Sequence, residues 1–198
     1  MNENESNVPN LSDLIKNISA IVIVDDARNV SDKEMAEIRK SVELDKSIAA
    51  GEEVIDSFKG KNHFLSNFYH CDFEFEGLTY HTAEAAFQAQ KCSSKEDKIK
   101  YTEVSNPVAA KRMGRKEPNL PENWNEISYD IMKNILKAKF SVPEMREKLL
   151  ATGKAKLVEG NKHHDNLWGK CYCESCISKN RLALNRLGNI LMEIRESL

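Results

Sequence analysis

The stretch from His81 to Lys91 constrains this chain more than any other. It reads His-Thr-Ala-Glu-Ala-Ala-Phe-Gln-Ala-Gln-Lys and contains neither glycine nor proline. Alanine is the strongest helix former, so the run predicts a helix. Thr82 is its expected N-cap, the hydroxyl taking up a free N–H of the first turn. Glu84, Gln88 and Lys91 then share one narrow face. Ala85, Ala86 and Ala89 crowd the other side, where small side chains let a neighbour come close. An acid near a helix start and an amine two turns on can line a pocket. The plainer alternative is a solvated face with a weak ion pair, and on this stretch alone it takes precedence.

The segments around this helix have equally local signals. Cys71 to Tyr80 alternates, with Phe73 and Phe75 on one side and Asp72, Glu74 and Glu76 on the other. Gly77 supplies the turn of a hairpin that delivers the chain to His81. Val54 to Phe58 reads as a strand. Lys59 to Tyr69 is a loop mixing aromatics with Ser66 and Asn67, which suits a flat heterocycle, although Phe64 and Phe68 also fit the core. After Lys91 a charged helix is expected to run to about Tyr101. Asn106-Pro107 starts a short helix over Val108 to Met113, stopped at Gly114. It gathers Lys111, Arg112 and Arg115, either a phosphate site or a solvated basic patch. Ile127, Ile131, Ile135 and Phe140 mark a long amphipathic helix. Pro143 opens another, with Met145, Leu149 and Leu150 inward and its end at Gly153. Lys156 to Glu159 is a short strand, Asn161 to Gly169 a polar loop. The last helix turns Leu187, Ile190, Leu191 and Ile194 to the core.

The first fifty residues differ in charge. They hold 6 Lys and Arg against 10 Asp and Glu, while the remainder holds 23 against 21. Leu11, Leu14, Ile15 and Ile18 have helical spacing, and Ser31-Asp32-Lys33-Glu34 fits a capping box. That box opens a helix with Met35, Ile38, Val42 and Ile48 roughly on one side. Residues 1–53 thus read as an N-terminal helical extension and 54–198 as the main domain. The 198 residues are 40% hydrophobic and 30% charged, an ordinary composition for one good-sized core. The longest apolar run, Ile18 to Val24, is too short to span a bilayer, and the start has no basic leader. Five cysteines without an export signal suggest reduced thiols and a cytoplasmic location with no membrane partner. The net charge of −2 is no signature of a bulk polyanion binder.

Glycine-rich dinucleotide fingerprints, P-loops, His-Glu-x-x-His and nucleophile elbows are all missing. An ordered series of weaker motifs remains. It runs Phe64-Leu65-Ser66-Asn67-Phe68, Thr82-Ala83-Glu84, Phe87-Gln88-Ala89-Gln90-Lys91, Met113-Gly114-Arg115, Trp124 and Lys139-Phe140. It continues through Leu149-Leu150-Ala151-Thr152, Leu157-Val158-Glu159, Asp165-x-x-Trp168-Gly169 and Asn185-Arg186-Leu187-Gly188 to Leu191-Met192-Glu193-Ile194-Arg195. Over about residues 54–198 the series resembles the NADAR family, also called YbiA-like or swarming-motility-protein-like N-glycosidases. Each motif is weak alone; the order is specific.

The resemblance implies a mainly helical α+β domain with a small antiparallel sheet. It implies an N-glycosidase that cleaves the C1′–N bond of a ribosylated amine in a nucleotide-like small molecule. The substrates it suggests are ribosylamino-pyrimidine phosphates of riboflavin synthesis, or ADP-ribosylated guanine in nucleic acid. The rival is a module that binds ADP-ribose or a nucleotide without cutting it, which would not need two acids. No cofactor is expected, and no metal ligand is assigned. Cleavage builds positive charge on the sugar, which a carboxylate stabilises. Glu84, Lys91 and Asp165 are the catalytic candidates. The helix dipole should keep Glu84 ionised, as a stabiliser or base. Lys91 would hold a ribose hydroxyl, or attack C1′ of an opened sugar as a Schiff-base amine. Trp124 and Trp168 would stack on the base, Arg112 and Arg115 would meet phosphate, and Asn67, Phe68 and Asn185 complete the binding set. Each has a structural alternative, a tryptophan plugging the core or Glu159 pairing beside its strand.

The chain departs from the resemblance between Gly169 and Asn185. The simplest family members have a glycine-rich loop there, and this chain has Cys171, Cys173 and Cys176 in C-x-C-x-x-C order. His163 and His164 lie just upstream, so the donor types suit zinc. Spacing offers no obvious fourth ligand and Cys-x-Cys is tight, so reduced loop thiols are the expectation.

Overall fold

The computed structural model describes residues 31–198. Helix α1 (Asp32–Ala49) opens with the expected capping box: Glu34 N–H donates to Ser31 Oγ, and Ser31 N–H donates to the Glu34 carboxylate. The apolar spacing from Leu11 to Ile18 lies outside the described residues. The inward line of α1 is not the apolar one expected. Glu37, Ser41 and Leu44 are buried, and Met35, Ile38, Val42 and Ile48 flank them half-buried. The polar residues turn inward because partners wait there. Arg186 Nε donates to Glu37 at 2.7 Å, and Ser41 Oγ donates to the Ala183 carbonyl. Ion pairs to Asp130, Glu193 and Lys170 hold the rim of α1 to the rest.

Strand β1 (Val54–Ile55) is followed by a 3-10 turn over Gly60–Leu65. Strands β2 (His70–Phe75) and β3 (Leu78–Thr82) form the expected hairpin, pairing Phe73 with Tyr80 and Phe75 with Leu78. Glu76 and Gly77 both have positive φ, as the tight two-residue turn between right-twisting strands requires. Strand β3 runs directly into helix α2 (Ala83–Ala89), capped by Thr82 Oγ1, which accepts from Ala85 N–H. All seven residues of α2 are buried. The charged helix expected beyond it is only a single piece, α3 (Lys95–Ile99), after a break at Gln90 to Ser94.

Helix α4 (Pro107–Gly114) is capped by Asn106 and packs on α2. Gly114 is the last residue of this helix, which ends where expected. A Cβ there would sit 1.9 Å from Gln88 Oε1 and 2.8 Å from Gln88 Cβ, so only glycine permits the approach. Helix α5 (Trp124–Ser141) buries Tyr129, Met132, Ile135, Leu136 and Phe140. Helix α6 (Pro143–Leu150) buries Met145 and Leu149, but Leu150, expected inward, is exposed. One face of a two-turn helix has room for only part of that apolar set.

Three short ladders replace a single sheet. The hairpin is antiparallel; β1 pairs in parallel with β4 (Lys156–Leu157), and β5 (Gly160–Asn161) with β6 (Lys170–Cys171). After α7 (Glu174–Ser178), helix α8 (Arg186–Ser197) buries Leu187, Ile190, Leu191 and Ile194 as expected. The overall class is the mainly helical α+β arrangement anticipated.

Candidate active site

Glu84, Gln88 and Lys91 lie along α2 and the turn after it, and α4 faces them. Gln88 Nε2 donates to Glu84 Oε1 at 2.8 Å, and Glu84 N–H donates to the Asn67 carbonyl at 3.0 Å. The aromatic loop therefore docks on the start of α2. Lys91 Nζ donates to the Gly114 carbonyl at 3.2 Å and stands 5.6 Å from the Trp124 ring centre. Lys111 stands 5.7 Å from the Phe68 ring.

The electrostatics reverse one expectation. Burial pushes the Glu84 carboxyl above its ordinary range, against the opposing pull of Gln88, Lys111, Lys91 and Arg115. The helix dipole does not prevail, because the whole first turn is withdrawn from water. Burial also lowers the Lys91 amine, with Glu84 opposing the shift. An acid pushed up and an amine pushed down on one stripe mark it as a candidate functional site.

Phe87 joins the two tryptophans. Its ring centre lies 5.2 Å from Trp124 and 5.5 Å from Trp168. Arg186, buried and paired with Glu37, stands 5.9 Å from the Trp168 ring. Asp165 Oδ1 accepts from the Leu167 and Trp168 N–H groups and so fixes the turn that carries Trp168. Among the described residues no hydrogen bond joins Asp165 to Glu84 or Lys91; Trp168 and Phe87 link the two halves.

The other candidates divide. Arg115 contributes to the field at Glu84 and Lys91, together with Lys111; Arg112, exposed like Arg115, is not among the leading contributors to either. Asn185 is fully buried in the left-handed region, its Nδ2 donating to the Leu157 carbonyl and its Oδ1 accepting from Glu159 N–H. Both ends of that amide are engaged by backbone. Its place is beneath Glu159, where Gly188 leaves no space for a Cβ against the Leu157 carbonyl.

Glu159 and Gln88 emerge more strongly than from sequence. Burial, and then the nearby Asp165 charge, push the Glu159 carboxyl up to about 7. Among the described residues its Oε2, Gln88 Oε1, Asn67 Oδ1 and, in the core, the Tyr80 hydroxyl are buried oxygens without a hydrogen-bond partner. Such orphans are rare in folded proteins and suit a bound ligand's hydroxyls. The Leu-Val-Glu order was the available signal for Glu159. The open groove beside Leu150, Lys154, Lys156 and Arg195 holds none of these residues. No described helix is long and apolar enough to cross a membrane.

Residues 56–198 match the model of the NADAR domain. Over 136 residues the chain is 39% identical to the proteins named N-glycosidase YbiA of Shigella boydii serotype 4 and Escherichia coli K12, spanning 68% of this chain and 80% of each relative. It is 30% identical over 139 residues to N-glycosidase Npun_R5314 of Nostoc punctiforme, spanning 68% of this chain and 84% of that one. The NMR structure of E. coli YbiA superposes with a TM-score of 0.62 at 35% identity, covering 74% of this chain and 84% of that one. Fold and relatives define the class: an α+β domain of the kind carried by proteins named N-glycosidases. The chain belongs to the NADAR family.

Proposed function

We propose that the protein is an N-glycosidase that hydrolyses the C1′–N bond of a ribosylated amine in a nucleotide-like substrate. The observation that carries this reading is the stripe Glu84, Gln88 and Lys91, in which a buried acid bonded to Gln88 at 2.8 Å lies about two turns from a half-buried amine held on the Gly114 carbonyl at 3.2 Å. As the C1′–N bond breaks, its electron pair leaves with the nitrogen and positive charge builds on the sugar. Glu84 stabilises that charge and takes a proton from the incoming water, whose oxygen bonds to C1′. The released nitrogen takes up a proton, so the products are a free amine and a sugar with an anomeric hydroxyl.

Lys91 holds a ribose hydroxyl, and the unpaired oxygen of Asn67 accepts from another. Trp124 and Trp168 frame the base around Phe87, and Phe68 borders it. Lys111 and Arg115 meet the phosphate. Asp165 and Glu159 stand behind Trp168. The near-neutral charge balance favours a metabolite such as a ribosylamino-pyrimidine phosphate over ADP-ribosylated guanine in nucleic acid. Chromatographic assay of both substrate types tests the reading. Release of free base or ribose phosphate is expected, first from the small molecule. Binding of every substrate with release from none would make the chain a reader.

A further inference from the structure

We propose that His164, Cys171, Cys173 and Cys176 form a structural zinc site. Their donor atoms, one imidazole nitrogen and three sulfurs, all lie within 4.8 Å of one another. His164 Nδ1 is 3.3 Å from Cys173 Sγ and 3.4 Å from Cys176 Sγ. Tetrahedral zinc bonds sulfur at about 2.3 Å and nitrogen at about 2.0 Å, which separates adjacent ligand atoms by roughly 3.5–3.8 Å. The two His164–sulfur distances fall just inside that spacing, and the remaining donors are close enough to close around one ion.

The fourth ligand that spacing alone does not reveal is supplied by folding. The β5–β6 pairing sets Asn161 beside Cys171, and the turn between them presents His164, whose φ of +66° is in the left-handed region. Cys173 and Cys176 come from the start of α7, a C-x-x-C pair of the kind zinc sites use. His163, equally placed in sequence, lies outside the cluster, though both histidines are exposed.

A supporting layer is also present. His164 N–H donates to Cys171 Sγ, and Asn166 Nδ2 donates to Cys176 Sγ. The same Asn166 amide accepts from Cys171 N–H through Oδ1, so it is fixed between two ligands. Donors of this kind hold thiolates in place around a metal. All three cysteines are free of disulfides. The other cluster among the described residues, His70, Asp72 and His81, differs: it has three donors on a solvent-facing hairpin and closes through a His81–Asp72 contact of 2.7 Å.

Four protein ligands fill a tetrahedron, leaving no open position for a substrate or water, so the role is structural. Zinc would join α7 to the loop whose next residue is Asp165 and which ends in Trp168.

The test is metal analysis of the untagged full chain, with cobalt substitution as an independent readout. Expected are about one zinc per chain, release when the thiols are blocked with mercurial, and thiolate-to-cobalt charge-transfer bands with tetrahedral d–d bands after exchange. Cys176→Ser should lose at least roughly tenfold in zinc occupancy, and Cys92→Ser, a buried thiol outside the cluster, should keep it. Should Cys176→Ser not fold, the wild-type cobalt spectrum decides alone. Protein that is metal-free as isolated, takes up no added zinc and gives no thiolate–cobalt bands would overturn the site, as would a disulfide between any two of these cysteines in freshly purified protein.

Discussion

Burial sets Glu84 against its own position in the helix. The first turn of α2 offers a favourable dipole, yet the carboxyl is pushed up because water is excluded. Glu84→Gln keeps the volume and a polar contact with Gln88 but removes the carboxylate that stabilises charge and accepts the proton. We expect turnover to fall by roughly 10²–10⁴ with the melting temperature nearly unchanged, measured by base release and calorimetry. Full turnover in that variant would remove Glu84 from the chemistry. The wild-type acid limb of kcat/KM should lie above the usual carboxylate range. Lys91 is assigned to a sugar hydroxyl and not to covalent attack, so cyanoborohydride added during turnover should leave the chain's mass unchanged; a reductive adduct on Lys91 would replace that role with a Schiff base.

At the scale of elements, the link from α1 to Trp168 runs through Glu37 and Arg186. Glu37→Gln leaves a buried guanidinium without its counter-charge, and breaking one side of such a pair costs ~3–5 kcal/mol. Denaturant unfolding should show that loss, and Trp168 fluorescence should shift as its Arg186 neighbour moves. Gly114→Ala should cost ~1–3 kcal/mol, because Gln88 must leave its place against α4. The elements themselves were largely legible. The Ser31 box, the Thr82 and Asn106 caps, the Gly77 turn and the apolar face of α8 are written within a few residues of the structures they form. Glu37 and Arg186 are 149 residues apart, and nothing local marks an acid as facing inward. The two-residue ladders β1–β4 and β5–β6 are too short for alternation to show. The stripe on α2 was visible as a stripe, but the direction of the Glu84 shift was not, since it arises from what packs over the helix. The same holds for His164, which only the β5–β6 register brings to the cysteines.

For the whole molecule, a buried amine and a half-buried carboxyl work against stability from opposite sides of neutral pH. Lys139 is fully buried, its Nζ donating to the Phe64 and Ser66 carbonyls, and burial lowers the amine to about 7. Between there and its ordinary value near 10.5 the unfolded chain holds a proton that the folded chain has shed, so stability rises with pH across that window. Glu159 is raised from 4.5 to about 7, so between those values the folded chain holds a proton that the unfolded chain has lost, and stability falls as pH rises. Together the two contributions place a minimum near pH 7. Each slope is at most ~1.4 kcal/mol per pH unit for a single proton. Denaturant unfolding from acid to alkaline pH, compared with two variants, isolates the terms. Glu159→Gln should gain on the wild type progressively from pH 4.5 to 7, and the wild type should gain on Lys139→Met from pH 7 to 10. Stability differences that stay flat across both windows would mean that these groups titrate alike in the folded and unfolded chains. The aromatic loop that Lys139 fastens beneath α2 would then be held by a charged amine, and Glu159 would not carry the neutral carboxyl that its burial demands.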